Sequence, residues 1–361
     1  QDVIQHLLNT LEAKGFKSLV HFELEGVCEL RDSYQRLDYL GINRKLAKLG
    51  IDGELKSEYW KNQWEFVSLF NGQSPLKEAQ NLSKVMQLLP NIMCQHGANK
   101  VMMVPVAWGA DKGRYLDGSG IIFSLDTRSV HIPNAIQMNV SVENHQGDNL
   151  FAQEGLGEWI QYELLVNSYA CCLLFLPEED AFKRLALRQD YGLDAELSSP
   201  VILSGGHQGS IALYKEIGKH NQAMGLEPLI FATDKSVLHY VGDWRKTARV
   251  EHRIGATSKN YDPYLNMLFI LINVLEGIDK WNTAGSLPIF ADKALPVSLY
   301  DEHNIQDDQV KLGAVTLFKN DSWFADKIDY YCQDMPDTNV IDLGVKIKEM
   351  MLSKFQRAVI T

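Results

Sequence analysis

Apolar residues recur at helical spacing in several stretches of the chain and alternate with polar ones in others. Val3, Ile4, Leu7, Leu8 and Leu11 fall three or four residues apart, on one face of a helix that Gly15 ends. The same signals predict helices over Leu40–Leu49, from Ser74-Pro75 toward Gly97 with Pro90 as a kink or break, over Leu156–Leu176, and from Asp262-Pro263 through Ile278. Strands are predicted at Leu19–Leu24, at two short runs around a turn within Ile51–Phe70, and at Lys100–Val106, Gly120–Leu125, Ala135–Glu143, Ile211–Leu213 and Thr247–Ile254. Gly147-Asp148-Asn149 marks a turn and Ser204-Gly205-Gly206 a loop. No repeat, low-complexity tract or linker interrupts this order, which favours one continuous α+β domain over residues 1–361.

Three of the predicted strands carry polar or charged residues at every second position. Successive side chains of a strand point to opposite faces, so each strand has one polar face. Glu23 and Glu25 share such a face, as do Gln63 and Glu65, and as do Arg249, Glu251 and Arg253. If those faces converge, Glu23, Glu25, Glu58, Glu65 and Glu251 form a carboxylate cage for Mg2+ or Mn2+, whose charge neutralises nucleotide phosphates while nearby arginines hold a transferred phosphoryl group. If they do not converge, they are the solvated outer faces of antiparallel strands, where such alternation is common.

Charge and cysteine usage narrow the setting. Lys and Arg number 35 against 46 Asp and Glu, a formal charge of −11, which disfavours nucleic acid and anionic membranes and suits a small cationic or metal-bound partner. The five cysteines, Cys28, Cys94, Cys171, Cys172 and Cys332, form no CxxC pair, which points to a reducing compartment and hence the cytoplasm. The apolar runs at Leu173–Leu176 and Leu265–Val274 are too short to cross a bilayer, and Gln1–Lys14 lacks the apolar core of a signal peptide. Cys171-Cys172 reads as core filling; Trp60 and Trp64 are candidates to stack on a base or substrate, with one of them expected to be core.

Taken in order, several segments match one family's motifs. Phe22-Glu23-Leu24-Glu25 follows an opening helix; Leu49-Gly50-Ile51 precedes Ser57-Glu58-Tyr59-Trp60-Lys61-Asn62-Gln63-Trp64-Glu65-Phe66; His96-Gly97-Ala98 leads to Pro105. Gly147-Asp148-Asn149-Leu150-Phe151 precedes Gly155-Leu156-Gly157-Glu158, then come Phe182-Lys183-Arg184-Leu185, and Arg249-Val250-Glu251-His252-Arg253 ahead of Asp262-Pro263-Tyr264-Leu265. From Asp2 to Lys280 this order resembles the catalytic domain of glutamine synthetase, with weaker similarity from Leu287-Pro288 on that makes 286–361 a C-terminal extension. The resemblance implies a curved antiparallel sheet lined by carboxylates with helices packed outside. It implies that Glu25, Glu58 and Glu65 bind one divalent ion and Glu23 and Glu251 another. Arg249 would face nucleotide phosphates, and Arg184 and Arg253 the substrate carboxylate or acyl phosphate. The implied reaction is ATP-dependent: a side-chain carboxylate of glutamate or a similar acid is phosphorylated, and ammonia or an amine displaces the phosphate.

The chain departs from the family pattern at several places. Gln137 stands where a metal-binding histidine is expected, Asn62 where glycine is usual, and Gly209 and Tyr214 where two phosphate-contacting arginines are usual. His207, in the same glycine-rich loop, is a candidate phosphate contact. Glu196, with Asp194 close by, stands near the family's flap glutamate and is the candidate catalytic carboxylate there. The small N-terminal domain that completes each site from a neighbouring subunit is missing from this sequence, with three expectations: it is deleted, it precedes these residues in a longer chain, or a homo-oligomer or another protein supplies it. These departures leave a second expectation beside the ligase: a diverged relative that binds nucleotide, metal or a protein without turnover.

Overall fold

The computed structural model describes residues 1–32, 36–58, 60–68, 73–110, 130–153, 155–190, 210–215, 230–231, 237–239, 244–304, 309–335 and 342–355. Helix α1 (Asp2–Ala13) buries Val3, Ile4, Leu7 and Leu11, and Gly15 at φ 93° turns the chain into the long strand β1 (Phe16–Leu30). The Asp38 carboxylate accepts from the Gly41 amide and so caps α2 (Tyr39–Lys48). A hairpin of β2 (Glu54–Ser57) and β3 (Gln63–Val67) follows. Its turn holds Asn62 at φ 68°, a left-handed conformation that glycine or asparagine tolerates best, which accounts for asparagine at a position where glycine is usual. Ser74 caps α3 (Pro75–Gln95), which runs through Pro90 without ending there.

The expected strand Lys100–Val106 divides into β4 (Ala98–Met102) and the start of β5 (Val106–Ala110), which forms a separate ribbon with β6 (Val130–Pro133). After β7 (Ile136–Asn144) comes α4 (Leu156–Ser168). The helix expected to reach Leu176 stops eight residues earlier, and a 3-10 turn spans Cys172–Leu174. Cys171 through Leu176 are buried on all sides, so their apolar run carried no period that could mark the helix end. Then follow α5 (Glu179–Asp190), β8 (Ile211–Tyr214), a ribbon of β9 (Ile230–Phe231) and β10 (Val237–His239), and β11 (Arg249–His252). Asp262 caps α6 (Pro263–Thr283), a helix buried along most of its length. The remainder is the ribbon β12 (Glu302–Asn304) and β13 (Gln309–Lys311) with helices α7 (Ala314–Asn320), α8 (Trp323–Cys332) and α9 (Leu343–Ser353). The expected strand Gly120–Leu125 and the loop at 204–206 lie outside the described residues.

Among the described residues seven strands form one antiparallel sheet in the order β2-β3-β1-β7-β11-β8, with β4 paired to the far end of β1. Residues opposite one another across such a sheet share a face. One face carries Phe22, Leu24, Trp64, Phe66, Met138, Val140, Leu213 and Val250, all buried in the main core, where α1, α3 and α4 back the sheet and α6 packs against those helices. Gly26 lies opposite Trp64 on that side, and a Cβ there would stand 2.3 Å from the indole ring. Trp60 is buried too, in a smaller cluster with Val27, Ala107 and Ile132. His252 belongs to the apolar face: its ring packs edge-on against Phe175 and Phe269, with Nε2 3.1 Å from Ser168 Oγ. Burial pushes its pKa down to about 3. No described helix is long and apolar enough to cross a membrane.

Two outcomes follow from this packing. Asn62→Ala places a Cβ residue without asparagine's tolerance at positive φ and is expected to cost about 1 kcal/mol, whereas Asn62→Gly is expected to be nearly neutral; urea unfolding measures both. His252 is neutral in the folded chain at every pH above about 3, while the unfolded chain takes up its proton below about 6.5. Its contribution is therefore fully present above pH 6.5 and is lost as the pH falls toward 3. Between pH 6 and pH 5 the wild type is expected to lose about 1 kcal/mol more stability than His252→Asn, read from paired unfolding curves.

Candidate functional site

The face of the sheet turned away from the helices is polar, and register sets its pattern. Glu25 lies directly opposite Glu65 on β3, and Glu65 lies opposite Lys56 on β2. Glu23 lies opposite Gln137 on β7, Asn139 opposite Glu251 on β11, and Arg249 opposite Tyr214 on β8. The odd-numbered residues of β1, β3 and β11 singled out by alternation therefore share one face with Gln137 and Asn139 of β7. Arg253, one residue past β11, is held by its backbone amide on the Ser210 carbonyl at 2.9 Å, and its Nε stands 3.7 Å from Glu251.

The central side chains close a ring. Arg249 Nε donates to Asn139 Oδ1 at 2.8 Å, and Asn139 Nδ2 donates to Glu23 Oε1 at 3.2 Å. With its amide nitrogen turned toward the two carboxylates, Gln137 donates to Glu23 Oε2 at 3.1 Å and to Glu251 Oε1. Tyr214 donates its hydroxyl to Glu251 Oε2 at 2.5 Å, and the Arg249 guanidinium lies 4.8 Å from the centre of the Tyr214 ring. Glu251 and Tyr214 are completely buried, and Glu23 and Gln137 nearly so. A buried carboxylate is tolerated when hydrogen bonds and cations compensate its lost hydration, and this ring provides both.

Beside the ring lies the second carboxylate group. Lys56 Nζ reaches Glu65 Oε2 at 2.7 Å; Glu65 is buried, while the Lys56 side chain is half exposed. Burial works against the Lys56 ammonium, but the attraction of Glu65, then Glu58 and Glu23, outweighs it and raises the pKa above the ordinary lysine value. Glu25 Oε2 accepts from the Ala135 amide at 2.8 Å. Glu58 follows β2 directly, its backbone amide bonded to the Gln63 carbonyl at 3.0 Å. Arg184, on α5, is buried; its Nη1 donates to the Ile254 carbonyl at 2.9 Å, and its Nε has no hydrogen-bond partner among the described residues. Burial lowers the Arg184 pKa to about 10, with Glu25 opposing that shift and Arg253 adding to it.

The structure thus brings together Glu23, Glu25, Glu58, Glu65, Gln137, Arg184, Arg249, Glu251 and Arg253. Glu196, Asp194, His207 and Gly209 lie outside the described residues. Three contributors were not among the expected site residues: Lys56, Asn139 and, as a donor to Glu251, Tyr214. Lys56 carried a usable signal, because Glu54, Lys56 and Glu58 alternate just as the recognised pairs do. Among the described residues no three His, Cys, Asp or Glu side chains converge as a metal-binding group. Two carboxylates meet one amide, where Gln137 lies between Glu23 and Glu251.

No protein-family model and no curated protein matches the sequence. Solved structures do match. The crystal structure of a novel glutamine synthase homolog aligns with a TM-score of 0.60 at 16% identity, over 99% of this chain and 71% of that one. GmaS without ligand gives 0.54 at 15% identity, over 99% of this chain and 74% of its own. GmaS in complex with ADP gives 0.57 at 14% identity, with the same coverage of 99% and 74%. At such identities the likeness is one of fold. An antiparallel sheet with a carboxylate-lined face, backed by helices and matched along nearly its whole length by these structures, is a glutamine-synthetase-like α+β fold.

Proposed function

We propose that the chain is an ATP-dependent ligase that forms an amide between the side-chain carboxylate of glutamate, or a similar acid, and ammonia or an amine. The observation that carries this reading is the grouping of Arg184, Arg249 and Arg253 around Glu23, Glu25 and Glu251 on one sheet face. Phosphoryl transfer is served mainly by positioning and by fixed charge where oxygens become more anionic, and guanidinium groups provide both. The structure of GmaS with ADP supports a nucleotide as one substrate.

In this reading a substrate carboxylate oxygen attacks the γ-phosphorus, the bond to the β,γ-bridging oxygen breaks, and ADP leaves with that electron pair. The amine nitrogen then attacks the acyl carbon, phosphate leaves, and a carboxylate takes the surplus proton. The sequence motif alone assigns that last role to Glu196. Arg249, held by Asn139 and stacked on Tyr214, faces the nucleotide phosphates, with His207 as a further contact. Arg253 and Arg184 hold the substrate carboxylate and the acyl phosphate; the unpartnered Nε of Arg184 leaves a donor for that purpose. The reaction is placed in the cytoplasm, and the chain is read as a homo-oligomer.

The residues present fit one divalent ion. Glu23, Glu251 and Gln137 offer three oxygens once the Gln137 amide turns its carbonyl inward, and an amide oxygen suits Mg2+ better than Mn2+. An ion there would supply positive charge against the nucleotide phosphates. Glu25, Glu58 and Glu65 do not fit a second ion as they stand, because the Lys56 ammonium already occupies Glu65 Oε2.

A second reading is binding of nucleotide without turnover. It is favoured by Tyr214, which occupies an expected arginine position and spends its hydroxyl on Glu251. ADP release from MgATP, measured with glutamate and a panel of ammonia, small amines and amino acids, separates the two. The ligase reading expects release that depends on both acid and amine, and a loss of roughly 100-fold or more in kcat for Arg253→Lys. A thermal shift with MgATP but no ADP from any combination would establish the second reading instead.

A further inference from the structure

Across β1, β3 and β2 three charged residues stand in one row: Glu25, Glu65 and Lys56. Like charges directly opposite one another on neighbouring strands repel, so Glu25 and Glu65 need a cation between or beside them. In a cage built for two divalent ions a metal would be that cation. Here the chain carries its own, since Lys56 reaches Glu65 at 2.7 Å while Glu58 and Glu23 also attract its ammonium. The row is a product of register. Lys56 faces the site because β2 and β3 pair with Lys56 against Glu65, and the turn at Asn62 sets that pairing.

We propose that the Lys56 ammonium takes the place of one divalent cation beside Glu25, Glu58 and Glu65, so that the site holds a single divalent ion, at Glu23, Gln137 and Glu251. The second half of this statement rests on the ligand set given under the proposed function; the first half does not. An ammonium supplies one positive charge and three donors, enough to offset the opposed carboxylates without metal. It also opposes a dication there, which would have to displace Lys56 from Glu65. The half-exposed stem leaves Lys56 replaceable without disturbing the core.

Titration of the intact chain with Mn2+, the free ion being counted by its paramagnetic resonance signal, tests this directly. One tight Mn2+ per chain is expected for the wild type and for Lys56→Arg, and two for Lys56→Gln, with the added site at least 100-fold tighter than any second binding by the wild type. Glu251→Gln is expected to remove the wild-type ion and leave the site gained by Lys56→Gln. Two tight ions in the wild type would overturn the proposal, as would a folded Lys56→Gln that gains none. If the wild type binds no ion and Lys56→Gln binds one, the role of Lys56 stands and the Glu23 ligand set fails. A matching circular dichroism melt for Lys56→Arg and Lys56→Gln keeps loss of fold apart from loss of binding.

Discussion

Antiparallel pairing places Glu25 against Glu65 and brings Glu23 and Glu251 to the same nearly dry surface, and the polar half of the molecule is arranged to offset that repulsion. Carboxylates brought together out of water must be protonated, neutralised by metal, or met by donors from the chain. Several donors of the chain serve the last of these. Lys56 meets Glu65, Asn139 and Gln137 meet Glu23, and Gln137, Tyr214 and Arg253 meet Glu251. The ring from Arg249 through Asn139 and back by Tyr214 also fixes the arginine in place, so charge compensation and positioning are one structure.

Gln137 has a distinct place in that arrangement. An amide presents either a nitrogen with two hydrogens or a carbonyl oxygen to the same spot, at the cost of rotating one bond. Turned one way it bridges Glu23 and Glu251 as a donor; turned the other it would present its oxygen to the same spot, as the proposed ion would require. A histidine at the same position binds metal through a ring nitrogen and lacks that second option as a bridging pair of donors on one atom.

Much of the site was legible because its residues alternate. Glu23 with Glu25, Gln63 with Glu65, and Arg249 with Glu251 and Arg253 announce a shared face before any strand pairing is known. What alternation does not reveal is register. That Lys56 stands opposite Glu65, or Asn139 opposite Glu251, depends on where each hairpin turns, and a slip of one residue would send every side chain to the other face. Asn62 was legible as a substitution for glycine, and its positive φ supplies the reason. The end of α4 was not legible, because a segment buried on all sides shows no hydrophobic period. Tyr214 was legible as a missing arginine but not as a donor, since its role arises only when β8 lies beside β11.

The claim that the chain's own donors hold the buried carboxylates is tested most directly by a double-mutant cycle between Tyr214 and Glu251, with stability read by urea unfolding in the presence of chelator. A hydrogen bond from a neutral donor to a buried carboxylate is worth about 1.5–3 kcal/mol. Tyr214→Phe and Glu251→Ala should therefore couple by at least about 1 kcal/mol. Effects that add to within roughly 0.5 kcal/mol would contradict the account, because the hydroxyl would then contribute nothing to holding the charge it touches.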